Sequence, residues 1–447
     1  MEVITRRAFL AAPAALAAAP QPYGAAPSER QLRWHKMETN AFLHFTVNTF
    51  TNKEWGYGDE DPNIFQPARF DADAIVAPLA DAGMRGVILT CKHHDGFCLW
   101  PTATTGHSIR ASSWREGNGD IVRDLSQAAR RRGLGFGVYL SPWDRNNAAY
   151  GTPAYIPIYR RQLTELLTNY GPIFEVWHDG ANGGDGYYGG AREKRTIDKN
   201  TYYDWPGTWD LVRTLQPQAV IFSDVGPDVR WVGNERGIAG DPCWATYDPV
   251  GEDGGPASPG NVRAKDSPTG TRHGTHWLPA ECDVSIRPGW FWHPAEDARV
   301  KSAAQLINLY YVSAGRGANL LLNVPPNRDG LLSAPDITAL REFGAYRRAT
   351  FAHNVLGKMN SRSFECACRA PFNVIRIRED IRYGQRIDSA AIEAFDGRDW
   401  TPLARVTSIG PRRLVRLEKK AAPRRLRLRI EAAAPPIVSE FAAYAEA

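Results

Sequence analysis

The amino-acid sequence predicts a parallel (β/α)8 barrel followed by a small antiparallel β-sandwich. Up to about residue 355, short apolar runs typical of buried parallel strands alternate with segments of helical periodicity. Beyond about Leu356 the hydrophobic period changes to two, which is typical of half-buried antiparallel strands. A chain of 447 residues is long enough for one large barrel and a smaller second module.

The elements of the barrel are expected in a regular order along the chain. Strands are predicted at 41–48, 86–91, 134–140, within 173–180, at 220–224 and at 318–324. Helices are predicted at 75–82, 121–131, 156–170, 294–313 and 335–347. This alternation of strand and helix indicates βαβ units and therefore a parallel sheet.

Polar side chains follow the carboxyl ends of several predicted strands. They include His44, His93, His94, Asp144 and Asp179. In a (β/α)8 barrel these strand ends form the active-site face. An open doubly wound sheet would also place ligands there, but it usually carries a glycine fingerprint at its first turn. The sequence has no such fingerprint, so the barrel is favoured.

The last 92 residues, 356–447, contain strands with one apolar and one basic face. Leu426, Leu428 and Ile430 alternate with Arg425, Arg427 and Arg429. The arginines could bind an acidic polymer, but a solvated outer face of a β-sandwich is the favoured interpretation.

The N-terminus resembles a twin-arginine export signal. Arg6-Arg7 and Phe9-Leu10 precede an alanine-rich run, 11–19, that is too short to span a bilayer. The sequence therefore predicts a signal peptide at 1–26, a barrel at 27–355 and a sandwich at 356–447. The expected location is outside the inner membrane, in the periplasm, without stable membrane insertion.

Composition excludes several classes of partner. The net charge of +5 is small for 447 residues and does not indicate a nucleic-acid surface. The six cysteines match neither a metal-ligand spacing nor a disulfide framework, so no metal or cofactor is predicted. The oligomeric state is left open.

Three kinds of catalytic site can be compared. A metal site at His93, His94 and Asp95 is disfavoured, because adjacent residues of an extended segment point to opposite sides. A serine hydrolase is disfavoured because no Gly-x-Ser-x-Gly elbow occurs. A pair of carboxylates, Asp179 and Glu235, is the equipment for glycoside hydrolysis. A helix-capping Asp179 and a surface ion pair of Glu235 with its neighbour remain alternatives.

Several short motifs together resemble the α-L-fucosidases of glycoside hydrolase family 29. They are His44-Phe45, Asn48-Thr49-Phe50, Glu54-Trp55, Lys92-His93-His94-Asp95-Gly96-Phe97, Tyr139 and Trp177-His178-Asp179-Gly180. The resemblance covers nearly the whole chain after the signal. Asn234-Glu235 and the segment 281–287 are most similar to the subgroup that prefers α-1,3- and α-1,4-linked fucose.

The resemblance implies a retaining exo-α-L-fucosidase acting on a fucosylated oligosaccharide or glycoconjugate. It assigns Asp179 as nucleophile and Glu235 as general acid/base. It assigns the fucose pocket to His44, Glu54, Trp55, His93, His94, Tyr139, Trp177, Arg230 and Trp290. Retention requires carboxyl groups about 5–5.5 Å apart, with the acid/base in the drier environment. A retaining hydrolase for another sugar, such as a galactoside, and a catalytically silent carbohydrate-binding protein are the alternatives.

Overall fold

The computed structural model describes residues 20–447. The predicted twin-arginine motif and alanine-rich run therefore lie outside the described residues. Within 20–447, no helix is both long and apolar enough to cross a membrane.

Eight parallel strands close into a barrel, which confirms the predicted fold class. They are β1 (Thr39–Leu43), β2 (Gly86–Lys92), β3 (Gly135–Leu140), β4 (Glu175–Trp177), β5 (Val220–Ser223), β6 (Val229–Trp231), β7 (Ala280–Ser285) and β8 (Asn319–Asn323). Each strand pairs with the next along the chain, and β8 pairs with β1 to close the barrel. All eight carboxyl ends therefore meet at one face of the molecule.

Helices surround the barrel unevenly. They are α1 (Glu29–Met37), α2 (Val47–Thr51), α3 (Ala72–Asp81), α4 (Ile121–Arg131), α5 (Tyr155–Asn169), α6 (Trp205–Leu215), α7 (Ala303–Val312) and α8 (Ala334–Thr350). The connections from β5 to β6 and from β6 to β7 contain no α-helix. The second of these is a long loop that runs from residue 232 to 279 and reaches the active-site face.

The amino end of the barrel is covered by α1. Its N-cap Ser28 and Gln31 form a reciprocal capping box, which satisfies free backbone N–H groups of the first turn. Trp34 of α1 inserts among the side chains inside the barrel, and its indole N–H donates to Glu175 at 3.0 Å. The barrel interior near its amino end is thus a filled core.

Two sequence predictions in the second half of the barrel require correction. The helix predicted at 294–313 is divided into a 3-10 turn, Pro294–Arg299, and α7. The division arises because Ser302 starts a new helix with its own capping box to Gln305. Strands β6 and β7 were not predicted, since β6 has only three residues and contains a charged side chain.

The C-terminal region forms two packed antiparallel sheets. One contains β9 (Glu365–Ala367), β11 (Ile387–Phe395), β12 (Trp400–Thr407) and β14 (Arg425–Ala432), and the other contains β10 (Phe372–Glu379), β13 (Arg413–Ala421) and β15 (Val438–Tyr444). Leu426 and Leu428 are buried between the sheets. Arg425 and Arg427 face outward and pair with Glu365 and Glu393, as expected for a solvated face.

A buried ion-pair cluster joins the barrel to the sandwich. Glu38, between α1 and β1, accepts from Arg378 at 2.7 Å and lies 2.8 Å from the guanidinium of Arg412. Arg412 is fully buried and also donates to the carbonyls of Ala314 and Ala318. These two arginines hold the pKa of the Glu38 carboxyl well below its usual range, despite its burial.

Candidate active site

A cavity of about 250 Å³ opens at the carboxyl ends of the barrel strands. Residues predicted from the sequence that line it are His44, Trp55, His93, His94, Tyr139, Trp177, Asp179, Glu235 and Trp290. The volume lies just below the range of about 300–1,000 Å³ typical of drug-sized ligand sites, so it suits a single small ring.

Asp179 is held by hydrogen-bond donors at the mouth of β4. The strand ends at Trp177, and Asp179 follows two residues later with its side chain about one quarter exposed. The hydroxyl of Tyr139 donates to its Oδ2 at 2.8 Å, and the backbone N–H of Ala181 donates to its Oδ1 at 2.7 Å. His94 Nε2 lies 3.8 Å from the same Oδ2. These contacts fix a carboxylate that points into the cavity.

Glu235 lies on the loop that follows β6 and faces the same cavity. Its pKa is raised above the usual value for glutamate, chiefly because the surrounding protein partly desolvates the carboxyl. The indole N–H of Trp290, which donates to Oε2 at 3.2 Å, opposes this rise, and the nearby charge of Asp179 reinforces it. Glu235 is therefore biased towards the protonated form. The residue is nonetheless exposed at the rim of the cavity, whereas Asp179 is about one quarter exposed, so the expectation that the acid/base is the drier of the two does not match their exposed surfaces.

Three histidines on the cavity wall are neutral. Burial lowers the pKa of His44 to about 3 and that of His94 to about 4, and it lowers the pKa of His93 well below its usual value. His44 Nδ1 contacts Asn323 Oδ1 at 2.9 Å, and His94 Nδ1 contacts Ser141 Oγ at 2.7 Å. Neutral imidazoles both donate and accept hydrogen bonds, which suits the hydroxyls of an uncharged sugar.

The expected orientation of His93 and His94 is wrong. Both side chains line the cavity, and their ring centroids are 4.1 Å apart. The reason is that β2 ends at Lys92, so the chain turns at the histidines and the alternation of an extended strand no longer applies. Among residues 20–447, no group of three or more possible ligands is arranged to hold a metal ion.

Aromatic rings form much of the remaining wall. Trp177 stacks on Phe222 with ring centroids 4.0 Å apart, and its indole N–H donates to the buried Glu281 at 3.1 Å. Trp55 is 52% exposed at the rim and meets His94 edge-on at 5.2 Å. The cavity thus combines a fixed inner aromatic surface with an exposed ring at its entrance.

Arg230 does not line the cavity, so its assignment to the sugar pocket is withdrawn. Successive side chains of a strand point to opposite faces, and in β6 it is Trp231 that faces the cavity. The guanidinium of Arg230 is fully buried on the other side, where it donates to the carbonyls of Ser267 at 2.9 Å and Trp244 at 3.0 Å. These contacts stabilise the long loop between β6 and β7.

Glu54 also lies outside the cavity wall. Its carboxylate is occupied by the loop that carries Trp290: Oε2 accepts the backbone N–H of Trp290 at 2.7 Å. The Glu54 side chain is still 39% exposed, and its predicted contact with the sugar stays a prediction.

Six further residues line the cavity and were not predicted as site residues: Phe42, Gly180, Ala181, Asp224, Trp231 and Asp283. Phe42 could have been predicted from the sequence, because it lies on β1 two residues before His44 and residues two apart along an extended segment share a face. Burial raises the pKa of Asp224 to about 6, and its Oδ2 accepts from the backbone of Gly260 at 2.7 Å. Burial also raises the pKa of Asp283, to which the indole of Trp231 donates at 2.8 Å.

Gly180 brings Asp179 and Asp224 close together. A Cβ at position 180 would lie 2.2 Å from Asp224 Oδ2, so no side chain fits there. Glycine is therefore required at position 180, directly after the predicted nucleophile Asp179, because the carboxyl group of Asp224 packs against it.

A family model described as Alpha-L-fucosidase matches residues 16–350. The chain belongs to the α-L-fucosidase family. The α-L-fucosidase 1 of Arabidopsis thaliana is 42% identical over 460 aligned positions, which cover 94% of this chain and 87% of that protein. An alignment of this extent reaches into the C-terminal sandwich.

Solved structures of the family superpose closely on the enzyme. A glycoside hydrolase family 29 member from an unknown rumen bacterium has a TM-score of 0.89 and 41% identity, over 96% of this chain and 78% of that chain. A Ruminococcus gnavus family 29 fucosidase in complex with fucose has a TM-score of 0.82 and 29% identity, over 96% and 97% of the two chains. The chain is thus a glycoside hydrolase, and the alternative of a silent binding protein is set aside.

Proposed function

We propose that the enzyme releases terminal α-linked L-fucose from glycans with retention of configuration. Asp179 is the nucleophile and Glu235 is the general acid/base. The observation that carries this proposal is the contrast between the two carboxyl groups of one cavity. Asp179 is held by hydrogen bonds from the Tyr139 hydroxyl and the Ala181 backbone N–H, whereas partial desolvation raises the pKa of Glu235 and biases it towards the protonated acid.

The first step breaks the bond between fucose and its aglycone. Asp179 attacks the anomeric carbon while Glu235 gives its proton to the departing glycosidic oxygen. The products of this step are a glycosyl ester on Asp179, a free aglycone hydroxyl and a Glu235 carboxylate. Both oxygens of the Asp179 side chain are held in place for this attack. Oδ2 accepts the hydrogen bond from the Tyr139 hydroxyl, and Oδ1 accepts the one from the Ala181 N–H.

The second step restores both carboxyl groups. Glu235 takes a proton from water, and the water oxygen attacks the anomeric carbon and displaces Asp179. Two successive inversions give net retention. Asp179 and Glu235 line the same cavity, as this mechanism requires.

The cavity wall supports fucose as the sugar. A 6-deoxy sugar presents one methyl group and several hydroxyls. Phe42 and Trp177 supply apolar surface for the former, and the three neutral histidines supply partners for the latter. A galactoside carries a hydroxyl on C6, which is the methyl carbon of fucose. It would therefore place a polar group against this apolar surface.

We also propose a preference for α-1,3- and α-1,4-linked fucose, supported by the resemblance of 234–235 and 281–287 to that subgroup. Of the segment 281–287, Asp283 reaches the cavity, next to Trp231 and Glu235. In parallel assays of α-1,2-, α-1,3- and α-1,4-fucosylated oligosaccharides, we expect kcat/KM to be at least roughly tenfold higher for the latter two, equivalent to about 1.4 kcal/mol. Equal rates on all three linkages would contradict the preference.

Aryl glycosides provide the control for the sugar itself. An aryl α-L-fucoside is expected to be hydrolysed, and an aryl galactoside much more slowly. Faster hydrolysis of the galactoside would favour the alternative of a hydrolase for another sugar on the same scaffold.

We further propose that the protein is exported, on the basis of Arg6-Arg7 and the following alanine-rich run. Cell fractionation should find the enzyme outside the cytoplasm, and replacing both arginines with lysine should retain it inside. An unchanged distribution of this double variant would contradict twin-arginine export.

A further inference from the structure

Glu175 and Glu281 are two carboxyl groups buried inside the barrel, below the candidate active site. Glu175 lies on β4 and Glu281 lies on β7, and neither side chain is exposed. Two residues further along the same strands come Trp177 and Asp283, which line the cavity. Because residues two apart on a strand share a face, the two glutamates form the layer directly beneath the cavity.

The surroundings of this carboxyl pair contain no compensating positive charge. The buried cluster around it is apolar and includes Phe42, Ile88, Val220, Phe222, Val229 and Leu321. The titratable groups that face it are Tyr139 on β3, Asp283 on β7 and Asp228 before β6, which two arginines neutralise. Within residues 20–447, neither glutamate forms an ion pair with a lysine, arginine or histidine.

Two indoles hold one oxygen of each carboxyl group. Trp34 of α1 donates to Glu175 Oε2 at 3.0 Å, and Trp177 donates to Glu281 Oε2 at 3.1 Å. The two carboxyl groups are also in hydrogen-bonding contact with each other. Neither Oε1 has a donor elsewhere in the described part of the chain. Since two carboxylates have acceptors only, this contact requires a proton on one of them.

A single proton satisfies this arrangement. An indole nitrogen is a donor only, so both Oε2 atoms are acceptors. A proton on one carboxyl group, donated to the other, supplies the missing hydrogen bond. Burial raises the pKa of both carboxyl groups, and the charge of Glu175 adds to the rise at Glu281, so the proton stays bound near neutral pH.

The pair fixes Trp177 in the wall of the cavity. Glu281 holds the indole N–H, and the ring stacks on Phe222 with centroids 4.0 Å apart. Without the proton, two carboxylates in an apolar interior would repel each other. Glu281 would then move away from its position beneath the indole, and Trp177 would lose its hydrogen-bond acceptor.

We propose that Glu175 and Glu281 share a proton and, as a pair, are positioning residues for Trp177. They hold the apolar wall against which the sugar binds and do not contact the sugar. This inference rests on the proposed placement of fucose against Trp177.

The test compares Glu175→Gln, Glu281→Gln and the double variant. In each single variant the amide carbonyl can accept from its indole, while the NH₂ group donates to the remaining carboxylate. In the double variant two NH₂ groups face each other, so one contact is lost. The inhibition constant of free L-fucose should stay within about threefold in each single variant and rise by roughly tenfold in the double variant, the scale of one hydrogen bond.

Glu165→Gln is the matched control. Glu165 on α5 also accepts from an indole, that of Trp100 at 2.7 Å, but it does not line the cavity or contact the pair. Combining Glu165→Gln with Glu281→Gln should add no further loss of fucose affinity, in contrast to the combination with Glu175→Gln.

The pH dependence of Glu281→Gln gives a second readout that needs only a single variant. A folded protein that keeps a proton above the usual glutamate pKa loses stability, and here fucose affinity, as the pH rises through the raised value. Between about pH 5 and pH 8, the Tm of Glu281→Gln should therefore rise relative to that of the unmodified enzyme. Its inhibition constant for fucose should also increase with pH by a smaller factor.

Three results would overturn the inference. Unchanged fucose affinity in the double variant would show that the pair does not position Trp177. A roughly tenfold loss in each single variant would show that a second carboxyl group, and not a shared proton, is required. Should the double variant fail to fold, the pH dependence of Glu281→Gln decides, and a dependence equal to that of the unmodified enzyme would contradict the shared proton.

Failure of the proposed function gives a different result. If fucose does not bind against Trp177, then Trp177→Ala itself would leave the inhibition constant of fucose unchanged. A rise in Trp177→Ala without a rise in the double variant would refute the positioning role alone.

Discussion

Replacing Asp179 with alanine is expected to lower kcat for an aryl α-L-fucoside by roughly 10⁴-fold or more, the scale of effect seen when a covalent nucleophile is removed. The loss arises because no glycosyl ester can form. Added azide should restore part of the activity, since the space left by the side chain admits a small anion beside the anomeric carbon. A single displacement by azide inverts the configuration, so the product should be β-L-fucosyl azide, identified by NMR.

Asp224→Ala is the matched control for this experiment. Asp224 is the other aspartate near Gly180, and it lines the same cavity. Its removal should give a smaller loss without rescue by azide. Azide rescue of Asp224→Ala in place of Asp179→Ala would exchange the roles of the two residues.

Replacing Glu235 with alanine should have an effect that depends on the leaving group. General acid catalysis typically contributes about 10²–10⁴-fold, so kcat/KM for a fucosylated oligosaccharide should fall by that factor. For an aryl fucoside with a good leaving group, kcat/KM should fall by less than roughly tenfold, because little proton donation is needed. Azide should attack the glycosyl ester from the face opposite Asp179 and give α-L-fucosyl azide.

The pH dependence of the same variant provides a second readout. Glu235 must be protonated in the first step, and its pKa is raised above the usual value, mainly by partial desolvation. For the unmodified enzyme, kcat/KM should therefore decline as the pH rises through this raised pKa. In Glu235→Ala, the decline should disappear for a substrate with a good leaving group. Its persistence would assign the alkaline limb, and the acid role, to another group.

The site could be predicted from the sequence to a large extent because a closed parallel barrel collects the carboxyl ends of its strands. His44, His93, Tyr139 and Asp179 all come at or near such ends and all line the cavity. This convergence follows from topology alone and does not depend on loop conformation. The family resemblance added the identity of the reaction, which the periodicity of strands and helices does not contain.

The incorrect predictions arose where local pattern and tertiary structure diverge. Strand β6 is three residues long, so the alternation that separates Arg230 from Trp231 could not be recognised. His93 and His94 share a cavity because the chain turns directly after β2 ends at Lys92, so the alternation of an extended strand does not apply to them. In each case the local backbone conformation near a strand end decides which side chain reaches the site.

The remaining features depend on contacts between distant loops. Glu54 approaches the loop at 289–293 across more than 230 residues of sequence, and only the folded barrel brings the two together. Asp283 enters the cavity because β7 closes beside β6, and neither strand had been recognised. Asp224 was predicted as the last residue of a strand at 220–224, and its position beside Gly180 is evident only from the packing.

Trapping the covalent intermediate tests the central claim most directly. A 2-fluoro derivative of fucose with a good leaving group slows the second step, so the glycosyl ester should accumulate on the nucleophile. Peptide mass spectrometry of the inactivated enzyme should then place one fluorofucosyl group on Asp179. A label on Asp224 or another residue, or turnover that leaves no covalent adduct and yields β-L-fucose first, would contradict the account.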